Sequence, residues 1–162
     1  MDTRYLTLSE LIYINGAVLD RPDIQVGTQQ IRDIQLLEAA VARPAASAFG
    51  QDAYPTLREK AAALLHSVAR NHPFTDGNKR TATVAVVLMF RVNGERVVWQ
   101  QEDALTKILR VAEGTCSLDE VAAWFPLKAE PHELQPDSES DMALITSIID
   151  EQKWLLNELE RR

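Results

Sequence analysis

The sequence predicts an all-α domain arranged around one central buried helix. Three observations carry that expectation. The run Val84-Ala-Val-Val-Leu-Met-Phe90 is apolar on every side of a helix, and a helix of that kind belongs at the centre of a domain. Three capping-box sequences, Thr7 with Glu10, Thr56 with Glu59 and Ser117 with Glu120, each stand at the head of a segment with helical spacing. Strand signals are scarce and are confined to a short hairpin within 44–55 or an extended piece within 95–99.

The elements follow in order. Thr7 to Leu19 reads as a helix, with Leu8, Leu11, Ile12, Val18 and Leu19 repeating at helical spacing. Asp20 to Thr28, with Pro22 and Gly27, reads as a loop. Gln30 to Arg43 is a second helix that Pro44 stops. Residues 44–55, rich in small side chains, form a connector too long for a tight turn, and loops of this length are often functional. A third helix runs from the Thr56 cap to about Arg70, with Ala61 to Ala63 suited to close packing. The central helix spans about Gly77 to Val92 and is ended by Asn93-Gly94. An extended piece at Arg96 to Trp99, a helix from Asp103 to Glu113 and a helix from Ser117 to Phe125 complete the body. Residues 127–141 carry Pro131, Pro136 and several acids and read as a linker. The final helix, 142 to about 160, has Ile145, Ile148, Ile149, Leu155, Leu156 and Leu159 on one stripe and must pack on something.

Composition narrows the function. The chain has 162 residues and 46% apolar content, enough for one domain with a real core. Its single cysteine, Cys116, excludes an internal disulfide and fits a reducing compartment, so a cytoplasmic protein is expected. The longest apolar run has seven residues, far short of a membrane span, and no membrane association is expected. The net charge is −7, of which residues 126–162, with nine acids and four bases, hold −5. A broad electrostatic grip on DNA is therefore not expected.

The chemistry concentrates in residues 71–83, Asn-His-Pro-Phe-Thr-Asp-Gly-Asn-Lys-Arg-Thr-Ala-Thr, a polar loop that feeds the central helix. The start of that helix offers free N–H groups and the positive end of its dipole, a natural phosphate site, to which Lys79 and Arg80 add cations. His72 is a base that is neutral near pH 7, and Asp76 is a hard oxygen ligand suited to magnesium. Base, metal ligand and anion site within nine residues suit phosphoryl or nucleotidyl transfer to a hydroxyl. Zinc is disfavoured, since three histidines and Cys116 show no ligand spacing, and no Walker loop is present.

The stretch His72-Pro-Phe-Thr-Asp-Gly-Asn-Lys-Arg80 closely resembles the signature of the Fic/Doc family, and in its Asn-Lys-Arg ending it has the death-on-curing (Doc) form. The resemblance maps to about residues 4–125 and implies a Fic/Doc-type helical catalytic domain over 1–126, followed by the acidic linker 127–141 and the helix 142–162. It implies a toxin of a toxin–antitoxin system that uses ATP and Mg2+ to phosphorylate a hydroxyl of a translation protein, elongation factor Tu in Doc itself, with a Phd-type antitoxin as partner. Two departures from the Fic pattern bear on the reaction. Lys79 replaces a glycine near the diphosphate, and Thr83 stands where Fic has a second arginine on the outer phosphate. Both weaken the alternative of AMP transfer. A second alternative is an inactive relative that acts by binding alone.

On this resemblance His72 is the general base and Asp76 holds magnesium. Gly77 gives close backbone approach, Asn78, Lys79 and Arg80 bind phosphate, and Phe74 anchors the loop. The connector 44–55 matches the flap that holds the target segment, with Phe49 and Tyr54 as its contact residues. His66 reads as a helix histidine with satisfied partners. The C-terminal helix has three readings: an autoinhibitor acting through Ser147 and Glu151, a homodimer element or cover over the antitoxin groove, or added packing on the domain.

Overall fold

The computed structural model of the chain describes residues 2–20, 30–131 and 138–162. The predicted loop at Asp20 to Thr28 and the middle of the predicted linker, with His132, lie almost wholly outside them. The described residues are mainly helical, with two small two-stranded sheets. Helix α1 spans Leu8–Val18, α2 Ile34–Ala42, α3 Leu57–Ala69 and α4 Asn78–Val92. They are followed by α5 Gln101–Glu113, α6 Leu118–Trp124, α7 Ser138–Glu151 and α8 Lys153–Glu160.

Helix α4 is the axis. Apart from Lys79 and Arg91, every residue from Asn78 to Val92 is buried, because α1, α3, α5, α7 and α8 all pack against it. Helix α3 makes the most extensive of these contacts, and its Ala61, Ala62 and Ala63 are fully buried. Phe90 meets Phe125 edge to face, with ring centroids 4.9 Å apart. At the head of α1, Thr7 and Glu10 exchange both bonds of a capping box, and Thr56 and Ser117 each accept the N–H three residues on.

The second helix starts at Ile34, four residues later than its periodicity suggests. Asp33 caps it by accepting from the N–H groups of Gln35 and Leu36, at 3.0 and 3.1 Å. Residues 31–33 stay outside the α-helix instead, since they pair with the loop that precedes α4, Ile31 forming an antiparallel bridge to Phe74. The short hairpin exists, with β1 (Ser47–Ala48) antiparallel to β2 (Gln51–Asp52). Its two-residue turn, Phe49-Gly50, has positive φ at both positions, 54° and 75°, as the right-handed twist of paired strands requires.

The segment expected to be a linker opens as a strand. Leu127–Ala129 (β4) pairs antiparallel with Glu95–Val97 (β3), Val97 opposite Leu127 and Glu95 opposite Ala129. The tail is then two helices rather than one. It begins at Ser138, where Glu139 and Asp141 face the positive end of the dipole, and it breaks at Gln152. Gln101 on α5 causes that break by reaching into the backbone ladder: it donates to the Glu151 carbonyl (3.1 Å) and accepts from the Leu155 N–H (3.0 Å). Ile145, Ile148, Leu155, Leu156 and Leu159 are buried in the same core as the body. Arg4 grips Asp141 through two hydrogen bonds, 2.5 and 3.1 Å, and also pairs with Glu10 at 3.0 Å.

His66 corrects its sequence reading, because its Nε2 is buried without a hydrogen-bond partner among the described residues. Burial, and then the Arg43 charge, push its pKa below the ordinary 6.5, against a smaller opposing pull from the backbone of Ser117 and Cys116; Arg70 also lowers it. Because the folded pKa is depressed, the unfolded chain takes up this proton first as pH falls. The contribution of His66 to stability is thus complete above about pH 6.5 and is lost on further acidification. The melting temperature of the wild type should fall between pH 7 and pH 5, and His66→Leu should show a shallower fall. Equal slopes for the two proteins would exclude His66 as the source.

Candidate active site

The loop between α3 and α4 is held in place by three separate devices. Asn78 closes it from below: its Oδ1 accepts the Phe74 N–H (2.9 Å) and its Nδ2 donates to the Phe74 carbonyl (3.0 Å). Phe74, 1% exposed, plugs the core beneath. Residues 30–33 hold the loop from the side. The Thr75 N–H donates to the Gln30 carbonyl (2.9 Å), Ile31 bridges to Phe74, and the N–H groups of Arg32 and Asp33 both donate to the Pro73 carbonyl, at 2.8 and 3.1 Å. The third device is Asn15 on α1, fully buried, whose Nδ2 donates to the Asp76 carbonyl (2.9 Å) and the Thr81 hydroxyl (3.0 Å).

These contacts leave the chemistry-bearing groups facing outward. His72 is exposed and has a φ of +52°. Asp76 is 75% exposed at its side chain; its Oδ1 accepts the Gly77 N–H at 2.7 Å and lies 3.8 Å from the Arg80 guanidinium. Gly77 is the N-cap of α4 with φ +74°, and no side chain caps that helix. A Cβ at Gly77 would lie 3.2 Å from Leu19 Cδ2 and 3.3 Å from Asn15 Nδ2, a tight fit, and the positive φ is what favours glycine here. The first backbone hydrogen bond of the helix runs from the Thr81 N–H to the Gly77 carbonyl. The N–H groups of Asn78, Lys79 and Arg80 are thus the helix's orphan donors, gathered at the positive end of its dipole with Lys79 beside them.

Two side chains expected to bind phosphate are engaged by the scaffold, Asn78 fully and Arg80 through its Nη1. Asn78 uses both its oxygen and its nitrogen on Phe74, which leaves its backbone N–H as the group free for an anion. Arg80 is buried; it donates to the Val18 carbonyl at 3.1 Å and reaches Glu160 of α8 at 3.7 Å. Arg80, Val18 and Glu160 line a small pocket of about 90 Å³ with Lys153, Leu156 and Asn157. Thr83, fully buried, donates its hydroxyl to the Lys79 carbonyl at 2.8 Å.

The remaining candidates have their hydrogen bonds and ion pairs outside this loop. Tyr54 accepts from Arg43 Nε at 2.9 Å, and Lys60 ties the hairpin down through Asp52 at 3.0 Å. Among the described residues no hydrogen bond or ion pair joins the hairpin, with its fully exposed Phe49, to residues 70–80. The segment that does lie against the loop is 30–33. Ser147 is exposed, and Glu151 pairs with Arg96 and Arg91, at the far end of α4 and about 20 Å along the helix from its N-terminus. The tail meets the motif through Glu160 instead. Asn15 was missed in the sequence, although it stands four residues after Leu11 on the buried stripe of α1, where a polar side chain asks for a partner.

A buried aromatic anchor, an outward histidine and an uncapped helix start with a cation beside it make an arrangement suited to holding an anion. The chain belongs to the Fic/DOC family, whose model matches residues 5–90. It is similar to the protein named Toxin Doc of Mycolicibacterium smegmatis, at 45% identity over 117 residues covering 65% of this chain and 88% of that protein. Among the described residues, no helix is long and apolar enough to cross a membrane.

Proposed function

We propose that this protein is a Doc-type toxin that moves the γ-phosphate of ATP to a Ser/Thr hydroxyl of a translation protein, elongation factor Tu being the candidate target, and that an antitoxin of the Phd type neutralises it. The observation that carries the reading is the pairing of an exposed His72 with the uncapped start of α4. His72 takes the proton of the incoming hydroxyl. The hydroxyl oxygen forms a bond to the γ-phosphorus, the bond from that phosphorus to the bridging oxygen breaks, and ADP leaves. The orphan N–H groups of α4 and the Lys79 ammonium bind the phosphate oxygens and stabilise their charge as it shifts.

Asp76 suits magnesium in a restricted way. Its Oδ2 is uncommitted, and among the described residues no cluster of three acidic, histidine or cysteine side chains surrounds it. A site with one carboxylate leaves the other positions to water and phosphate oxygens, as magnesium bound with a nucleotide prefers. When bound, the ion would neutralise phosphate charge. Kinase chemistry is favoured over AMP transfer by Thr83. Its hydroxyl is buried on the Lys79 carbonyl, so the turn above the anion site offers no cation for an outer phosphate, while Lys79 fills the place of a bare glycine.

The test uses purified protein, elongation factor Tu, magnesium and ATP labelled at either the α- or the γ-phosphate. Label should pass to the factor from the γ position alone. Transfer from the α position would make the protein an AMP transferase, and transfer from neither would overturn the assignment of this target.

A further inference from the structure

We infer that Arg32 is a positioning residue for the reaction, a clamp on the backbone of the motif loop that keeps His72 in its left-handed conformation. The inference rests on the reading of His72 as the base.

His72 is not a glycine, yet its φ is +52°. The following proline adds to the difficulty, because a residue before proline favours extended backbone. Such a conformation persists only where its surroundings over-determine it. The carbonyls on either side of the strained residue show what does so. Arg32 Nε donates to the His72 carbonyl at 2.6 Å, and its terminal nitrogen Nη2 donates to the Asn71 carbonyl at 2.8 Å. A planar guanidinium suits this task, since its fork presents two donors in fixed geometry to two acceptors.

The clamp itself is anchored. The backbone N–H groups of Arg32 and Asp33 hold the Pro73 carbonyl, Ile31 bridges to Phe74, and Asp33 caps α2. The guanidinium thus projects from a stretch of chain fixed both to the loop and to a helix start. Arg32 is exposed, and among the described residues no carboxylate pairs with it; its recorded side-chain partners are the two loop carbonyls. A base displaced by about 1 Å loses on the order of 100-fold in rate, so a clamp acting at this one residue has leverage on turnover without touching the nucleotide.

The experiment compares wild type, Arg32→Met and Arg32→Lys in the full chain, with elongation factor Tu and magnesium-ATP. Arg32→Met should lower kcat at least about 10-fold. The KM for ATP should stay within about twofold and the melting temperature within about 2 °C, as for an exposed side chain. Arg32→Lys, with a point donor in place of the fork, should fall between the two. The readout that needs no activity is the 13C shift of a selectively labelled His72 backbone. It should move away from left-handed values in Arg32→Met. An unchanged shift overturns the clamp, as does a raised KM for ATP with constant kcat, which would make Arg32 a nucleotide contact. If the wild type transfers no label at all, the kinase reading fails alone, and the shift still decides the clamp.

Discussion

His72→Asn is expected to remove phosphotransfer, by at least about 100-fold, while leaving the fold intact. Asparagine is the substitution of choice because it tolerates positive φ better than most residues and is not a base. Loss of activity then reports on the proton, separately from any relaxation of the loop at φ +52°. The imidazole is exposed, and the carbonyl on Arg32 and the pairing of Pro73 with residues 32–33 use backbone atoms that the substitution retains. The melting temperature should therefore shift by no more than about 2 °C. A variant that keeps more than a tenth of wild-type turnover would remove His72 from the mechanism. Asp76→Asn makes an informative companion, since it keeps the bond to the Gly77 N–H and removes charge from the outward oxygen.

The second large effect concerns the tail. Removing residues 138–162 should abolish cooperative folding of what remains. Five apolar side chains, Ile145, Ile148, Leu155, Leu156 and Leu159, would leave the core together. At about 1.5–3 kcal/mol each, their burial is worth about as much as the whole stability of an ordinary domain, 5–15 kcal/mol. The faces of α4 and α5 that they cover would meet water. The truncated chain should be insoluble, or soluble without a melting transition. A milder probe is Asp141→Ala, which strips Arg4 of its bidentate partner but leaves its pair with Glu10, and should cost about 1.5 kcal/mol. A truncated protein that melts cooperatively near the wild-type temperature would show the tail to be an appendage. A truncated protein with raised transfer activity would instead show the tail to be inhibitory, and Glu160→Gln would then test its contact on Arg80.

Much of this molecule was legible in the chain. The central helix was readable because burial on every side leaves an unambiguous mark, an unbroken apolar run in which polar residues are excluded. The helix starts at Thr7, Thr56 and Ser117 were readable because a cap is a local contract between residues three apart. The motif loop was readable for a similar reason. Its histidine, carboxylate, glycine and cations are contiguous, and the resemblance to the Fic/Doc signature rests on those same residues.

What the sequence left open depends on partners distant along the chain. Periodicity carried the second helix back to Gln30, but residues 30–33 gain more by pairing with Pro73 and Thr75 than by a first helical turn. Leu127–Ala129 looks like linker until β3 supplies a neighbour. The final helix looks continuous until Gln101, some fifty residues earlier, enters its ladder. By itself the sequence determined the all-α class, the buried axis and the chemistry-bearing loop, because burial periodicity, capping and motif are local properties. Only the tertiary structure decided that Asn78 spends its side chain on the scaffold and Arg80 one arm of its guanidinium, that Glu160 rather than Glu151 reaches the motif, and that Asn15 and Arg32 hold the loop. Those roles are set by which groups meet in space, and no local pattern records that.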